Sequence, residues 1–265
     1  MQYQGVLKKM ATEFDSEIQY YLDMESDFLN LNQLLEKEVT ITFKEYQCLN
    51  CGENKKIFRQ GFCYDCFYKI PQAADWIMKP ELSKAHLDIE DRDLAYEKKA
   101  QLQPHIVYLA LSSSVKVGVT RKSQVPTRWI DQGASKAIPI IEVPNRYLAG
   151  ITEVALKDKY VDKTNWRKML KNEVIDADLT AELPKIKEVL PEEVKQYFSE
   201  NPQEVLSLNY PVEKYPTKVK SLNLDKTPSY SGKLMGVKGQ YLIFEDGTVF
   251  NIRSNEGYVV EIDLK

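Results

Sequence analysis

Four cysteines constrain this chain more than any other feature. Cys48, Cys51, Cys63 and Cys66 are all that it has, and they stand as Cys-x2-Cys-x11-Cys-x2-Cys. A Cys-x2-Cys turn aims two thiolates at one point, and two such turns complete a tetrahedral shell with zinc–sulfur distances of about 2.3 Å. Gly52 follows the first pair, where a backbone turning around a metal needs a positive φ, and Gly61 precedes the second. Phe58, Phe62, Tyr64, Phe67 and Tyr68 surround the second pair, and the expectation is a small apolar shell around the ion. Four thiolates leave no position for water, so the spacing predicts one structural Zn2+ rather than a catalytic metal. Disulfides are the competing reading. They fit poorly, because Met1-Gln2-Tyr3-Gln4-Gly5 opens into charged residues without a basic leader or a small-residue cleavage site. The expected setting is the cytoplasm.

No apolar run approaches the roughly 20 residues that a membrane span requires. The net charge of −3 argues against a general polyanion binder, which is usually basic. Contact with nucleic acid would have to come from a local patch. The candidate is 155–171, where Lys157, Lys159, Lys163, Arg167, Lys168 and Lys171 face only Asp158 and Asp162. The competing reading of such a run is a solvated helix face. The segment that follows is acidic.

Six regions follow from the pattern of apolar residues and breakers. Residues 1–47 read as β-strands, at Gly5–Met10, Glu17–Leu22 and Val39–Phe43. Residues 48–70 hold the cysteines, and 71–103, punctuated by Pro71 and Pro80, read as a helical connection. Residues 104–172 carry the clearest architecture. His105–Leu111 and Val115–Thr120 form a hairpin, Pro126 opens a short helix that Gly133 ends, and Ile138–Val143 reads as a third strand, placed at an edge by Pro139. Leu148, Ile151, Ala155, Leu156 and Tyr160 recur at helical spacing, and a short helix over Asn165–Lys171 follows. Residues 173–203 read as two acidic helices interrupted by Pro191. Residues 204–265 return to strands, with a hairpin turning at Asp246-Gly247 and a third strand at Gly257–Ile262. Short isolated strands bury too little, so the two terminal strand sets are expected to complete one β-structure, closing around the middle. The fold class is α+β.

The middle region, 104–172, resembles the GIY-YIG nuclease domain, whose β-β-α-β-α-α order it shares. Ile106-Val107-Tyr108 stands for the first signature tripeptide, and Lys116-Val117-Gly118 for the second. Arg128 matches the helix arginine, Glu153 the metal-binding glutamate, and Asn165 the downstream asparagine. The cysteine spacing resembles a zinc-ribbon or treble-clef knuckle. The whole chain resembles an uncharacterised bacterial family of unknown function that joins such a knuckle to this middle and to flanking strands. The resemblance implies a metal-dependent phosphodiesterase acting on DNA or RNA. Glu153 would hold one Mg2+ or Mn2+, Arg128 would pair with phosphate, and Tyr108 would assist deprotonation of water. Lys116 departs from the pattern, which has a tyrosine there.

Each of these residues has a plainer reading. Tyr108 is also an ordinary strand tyrosine, Glu153 an exposed helix acid, and Asn165 an N-cap competing with Thr164. Trp129 and Trp166 serve as core or as groove aromatics. His105 lies beside the hairpin strand, with a structural role the commoner use of a lone histidine. Two alternatives to an enzyme therefore stand: a non-catalytic DNA or RNA binder on a degenerate nuclease scaffold, and a protein-interaction module with a structural zinc.

Overall fold

A computed structural model describes the chain except Ser26, 161–163, 200–203 and Lys265. Lys163 and Asp162 of the basic run therefore lie outside the described residues. The chain divides into two compact units, one of 1–68, 170–172 and 209–265, the other of 69–169 and 173–208.

The strands, in chain order, are β1 (Gln2–Val6), β2 (Ala11–Glu13), β3 (Gln19–Met24), β4 (Asp27–Asn30), β5 (Glu38–Tyr46), β6 (Ile57–Arg59), β7 (Phe62–Cys63), β8 (His105–Leu111), β9 (Val115–Arg121), β10 (Lys136–Val143), β11 (Leu206–Ser207), β12 (Lys220–Ser221), β13 (Ser229–Lys238), β14 (Tyr241–Phe244), β15 (Thr248–Asn251) and β16 (Tyr258–Leu264). The helices are α1 (Tyr64–Phe67), α2 (Leu94–Gln101), α3 (Thr127–Asp131), α4 (Arg146–Leu156), α5 (Trp166–Leu170), α6 (Leu183–Lys187) and α7 (Glu192–Lys195). No helix among the described residues is long and apolar enough to cross a membrane.

In the first unit, strands from both ends of the chain share one sheet, ordered β1-β16-β5-β13-β14-β15-β12. The expected joining of the terminal strand sets is thus present, as an open sheet. Strand β13 links its two halves: Ser229–Lys233 pair with β5, and Leu234–Lys238 pair with β14 across a bulge. Alternation explains which faces turn inward. Along β3, Tyr20, Leu22 and Met24 are buried, and along β5 Val39 and Ile41 are. The Asp246-Gly247 hairpin forms as expected, but the strand after it, β16, pairs with β1 and β5 rather than with the hairpin. The first strand also differs: β1 ends at Val6, and Leu7 and Met10 leave the ladder while staying wholly buried. The Leu7 amide donates to the Tyr258 carbonyl, and the Met10 amide to the Gln240 side chain, so burial costs neither group its hydrogen bond. Lys238, on β13, is 1% exposed. Its ammonium donates to Asn172 Oδ1 at 3.0 Å and stands 5.3 and 5.1 Å from the ring centres of Tyr210 and Tyr215.

In the second unit, four antiparallel strands run β11-β10-β8-β9. Strand β8 is buried along its whole length, which is why its sequence is a continuous apolar run rather than an alternating one. The strand, strand, helix, strand, helix, helix order expected from the sequence is the order observed. Pro139 does not mark an outer edge. It sits at a bulge in the β8–β10 ladder, and β10 gains β11 on its other side at Lys136 and Ala137. The acidic segment supplies core: Leu179, Ile186, Leu190 and Val194 pack with Val107, Leu109, Ile138 and Leu156.

Candidate functional site

Two constellations emerge, one in each unit. In the first unit the four sulfurs lie within 4.8 Å of one another, with Cys51 and Cys63 4.0 Å apart. A tetrahedral Zn–S shell has edges of about 3.8 Å, so the spacing suits one metal ion. The backbone builds this closeness. The Gly52 amide returns to the Cys48 carbonyl at 2.8 Å, with Gly52 at φ 73°, and the Leu49 amide bonds the Gly61 carbonyl at 2.9 Å. The second pair sits on a short hairpin, β6–β7, running into α1: Cys63 is the N-cap and Cys66 is in the first turn. The first pair thus sits on a turn, and the second on a hairpin that runs into a helix.

The sulfurs are prepared unequally. Burial works against ionisation of Cys48, but amides of Cys51, Cys63 and Asn50 outweigh it and bring that thiol down to about 6. Asn50 Nδ2 donates to Cys66 Sγ at 3.3 Å and favours its thiolate, yet burial and the other three cysteines push it up to about 12. Four thiolates this close repel one another without a cation between them, and a divalent ion removes that cost. The expected aromatic shell is corrected: among the described residues, Ile57 and Phe62 are the partly buried hydrophobics that pack on the buried cysteines. Phe58, Tyr64 and Tyr68 face outward, because β6 and α1 turn their other sides to the sulfurs.

In the second unit Tyr108, on β8, lies opposite Gly118 on β9. Its ring is wholly buried and lies flush with Gly118, where an added Cβ would stand 2.6 Å from the hydroxyl. The hydroxyl donates to Gln132 Oε1 at 3.0 Å. Burial raises the Tyr108 pKa; the Arg128 guanidinium pulls it back, and the Glu153 carboxylate pushes it up again. Tyr108, Arg128 and Glu153 are therefore electrostatic neighbours. Lys116 opposes Ala110, which puts it on the Tyr108 face of the sheet, and it is 4% exposed. Asn165 is not brought to this group by any contact described. It is exposed and caps α5, its Oδ1 accepting from the Lys168 amide at 3.2 Å. Thr164 instead meets the Ser112 hydroxyl at 3.1 Å.

Arg146 joins the group and was not anticipated. It lies seven residues before Glu153 on α4, two helical turns away and on the same face. Gly150, between them, lets the Pro80–Glu81 backbone approach to where a Cβ would stand only 2.2 Å from the Glu81 amide nitrogen. Arg146 donates to the carbonyls of Trp76 and Ile77 at 3.1 and 2.7 Å. Burial first, then Arg128 and Arg121, lower it to about 10 against the opposing pull of Glu153 and Glu81. Arg146 thus lies within electrostatic reach of two carboxylates, Glu153 and Glu81, and of two guanidiniums, Arg128 and Arg121. The signals in the sequence were the seven-residue step to Glu153 and the basic end of β9. His105 is buried, with Nδ1 2.7 Å from the Gln103 carbonyl, and burial brings its pKa down to about 4. It is neutral at pH 7. Trp129 is core, at 2% exposure and 5.8 Å from the Tyr108 ring. Trp166 is half-buried, with the Arg167 guanidinium 4.3 Å over it.

A family model described as "Protein of unknown function (DUF2797)" matches residues 36–260. The chain belongs to the DUF2797 family. The match spans the cysteine cluster, the Tyr108 group and most of the terminal sheet, so these parts of the DUF2797 chain fall inside one family unit. No curated protein and no solved structure matches the chain.

Proposed function

We propose that this DUF2797 protein holds one structural zinc ion and acts on nucleic acid, with its second unit a GIY-YIG-like core that handles the phosphodiester backbone. The observation that carries the reading is the meeting of Tyr108, Arg128 and Glu153 beside Gly118, in the element order of that nuclease fold. Arg128 is the guanidinium offered for pairing with phosphate oxygens, and Arg146 and Arg121 add positive charge near it, Arg128 and Arg121 both acting on Arg146. Glu153 is the one sequence-anticipated metal ligand in this group. A single carboxylate suits Mg2+ or Mn2+ only when water and substrate phosphate complete the shell. Such an ion would supply Lewis-acid polarisation of the phosphoryl group. Tyr108, held protonated by burial, serves as a hydrogen-bond donor at neutral pH rather than as a resting base.

The second reading, a binder that does not cleave, is favoured by Lys116 where the nuclease pattern has a tyrosine. One experiment separates the two. Labelled single-stranded, duplex and branched DNA, and RNA, are incubated with the protein in Mg2+ or Mn2+, beside Glu153→Gln. Cleavage by the wild type that the variant loses supports the phosphodiesterase. A salt-sensitive gel shift without cleavage supports the binder, because phosphate contacts release counterions. The absence of both cleavage and a shift would sink the nucleic-acid reading and leave a protein-interaction role.

A further inference from the structure

The outward-facing rings of the zinc knuckle form a surface that the cysteine site does not use. Phe58, Tyr64, Phe67 and Tyr68 make a continuous aromatic cluster. Ring centres are 5.2 Å apart for Phe58 and Tyr64, 5.3 Å for Phe58 and Phe67, and 4.9 Å for Tyr64 and Tyr68. Burial is the normal fate of such a cluster, yet Phe58 is 39% exposed, Tyr68 54% and Tyr64 61%. The four sulfurs hold it there, since Phe58 comes from β6 and the other three from the turn and a half that starts at Cys63.

Charge and ring type identify the occupant. Arg59 places its guanidinium 5.2 Å from the Phe58 ring centre, so the cluster already receives a cation on a π-face. Lys55 and Lys56 are exposed on the approach to the same hairpin, against Glu53 and Asp65, and Lys55 reaches Asp65 only at 3.8 Å. The exposed large apolar residues of this element are all aromatic, with no exposed Leu, Ile, Val or Met among them. Exposed Tyr, Phe and Arg also anchor protein partners, so the cations Lys55, Lys56 and Arg59 beside the rings decide the occupant. A strand of unpaired bases needs π-faces to stack on and cations beside them for its phosphates.

We infer that the aromatic face of the zinc knuckle, Phe58, Tyr64 and Tyr68 with Arg59 beside them, is a stacking platform for single-stranded nucleic acid. It rests on the nucleic-acid reading above, but assigns binding of unpaired bases to the first unit and not to the Tyr108 group. Duplex has its bases stacked already and offers the platform nothing.

The test uses the full chain, purified with its metal, and a short pyrimidine strand carrying 2-aminopurine, whose fluorescence falls on stacking. Tyr64→Leu and Tyr68→Leu keep apolar bulk and remove the π-face; Tyr64→Phe and Tyr68→Phe keep both. Each leucine variant is expected to weaken single-strand binding at least about fivefold and to lose the quench, while each phenylalanine variant stays within about twofold. Arg59→Ala is expected to flatten the salt dependence by about one phosphate contact. Metal content is measured in every variant, so a collapsed knuckle is recognised. If the wild type binds single strands and the leucine variants bind equally well with the quench intact, the platform is overturned while the nucleic-acid reading survives. If the wild type binds no strand at low salt, both fall together.

Discussion

Gly118→Ala is the sharpest probe of the Tyr108 group. The new Cβ would stand 2.6 Å from the Tyr108 hydroxyl, 2.7 Å from Cζ and 3.2 Å from Cε2, where ordinary contact begins at 3.4 Å. Ring or strand must therefore retreat by roughly 0.8 Å. The ring has little room, being wholly buried with Trp129 on one side, and moving it strains the 3.0 Å bond to Gln132. Overpacking of this kind costs about 1–3 kcal/mol. Strand β9 is the outermost of its sheet and yields more readily than a central strand, so the lower half of that range is expected. Tyr108→Phe alone leaves Gln132 Oε1 without its donor, at about 1 kcal/mol for a partly buried bond. In the double variant the hydroxyl is gone, one of the two closest clashes vanishes, and the total should fall short of the sum by about 1 kcal/mol. The assay is urea unfolding followed by tryptophan fluorescence. Trp76, Trp129 and Trp166 all lie in the second unit, so the signal reports that unit alone. Additivity within about 0.5 kcal/mol would refute the proposed packing of Gly118 against the Tyr108 hydroxyl.

Three further predictions follow from the buried charges and the cysteines. His105 has its pKa brought down to about 4 by burial. Between that value and the unfolded value of about 6.5 the unfolded state binds the extra proton, so stability should fall as pH drops through this window, by up to roughly 3 kcal/mol. His105→Leu should remove that part of the slope, as read from urea midpoints at pH 7 and pH 5; an unchanged slope would show that another group causes it. Lys238, brought down to about 8 by burial, follows the same sign in a higher window: the unfolded state holds its proton longer, so stability rises from pH 8 towards the unfolded value of about 10.5. Lys238→Met should stabilise the first unit at pH 7 by about 1–3 kcal/mol and abolish the rise, followed by amide hydrogen exchange in β13; a loss of protection at pH 7 would mean that the contacts to Tyr210, Tyr215 and Asn172 outweigh desolvation. Protein purified without added metal should carry about one zinc per chain, and chelation should abolish the near-ultraviolet tyrosine signal of the knuckle. A metal-free preparation with that signal intact would defeat the zinc assignment.

What could be read from the sequence was local. The cysteine spacing, the His105–Leu111 and Val115–Arg121 hairpin, the Asp246-Gly247 turn and the helices either side of β10 each depend on residues close together in the chain. Pairing over long separations was not legible: nothing near Tyr258 says that β16 lies between β1 and β5 rather than beside the hairpin that precedes it. For the aromatic residues of the knuckle, spacing gives proximity to the metal but not direction, and α1 is too short for a periodic pattern to fix one. Of the candidate site, Tyr108, Arg128 and Glu153 come together. Asn165 caps a helix; the seven-residue step from Arg146 to Glu153 was open to reading, whereas the packing of Arg146 on the Trp76 and Ile77 carbonyls and the nearness of Arg121 depend on other elements. Pro139 misled for a physical reason: a missing amide is absorbed as readily by a bulge as by an edge.

The shared sheet of the first unit sets the order in which a growing chain can finish it. Thr42 on β5 faces Ser229 on β13 across 187 residues. At about 5–20 residues per second, β5 waits roughly ten to forty seconds for a neighbour after it is made. The whole of 69–169 is synthesised in that interval. Thr40 and Thr42, which line the waiting strand with hydroxyls, and Lys44 and Glu45 at its end keep one face polar while the edge is unpaired. Vectorial synthesis thus lets the inserted unit fold first, and makes the first unit the last to be protected from stray strand pairing.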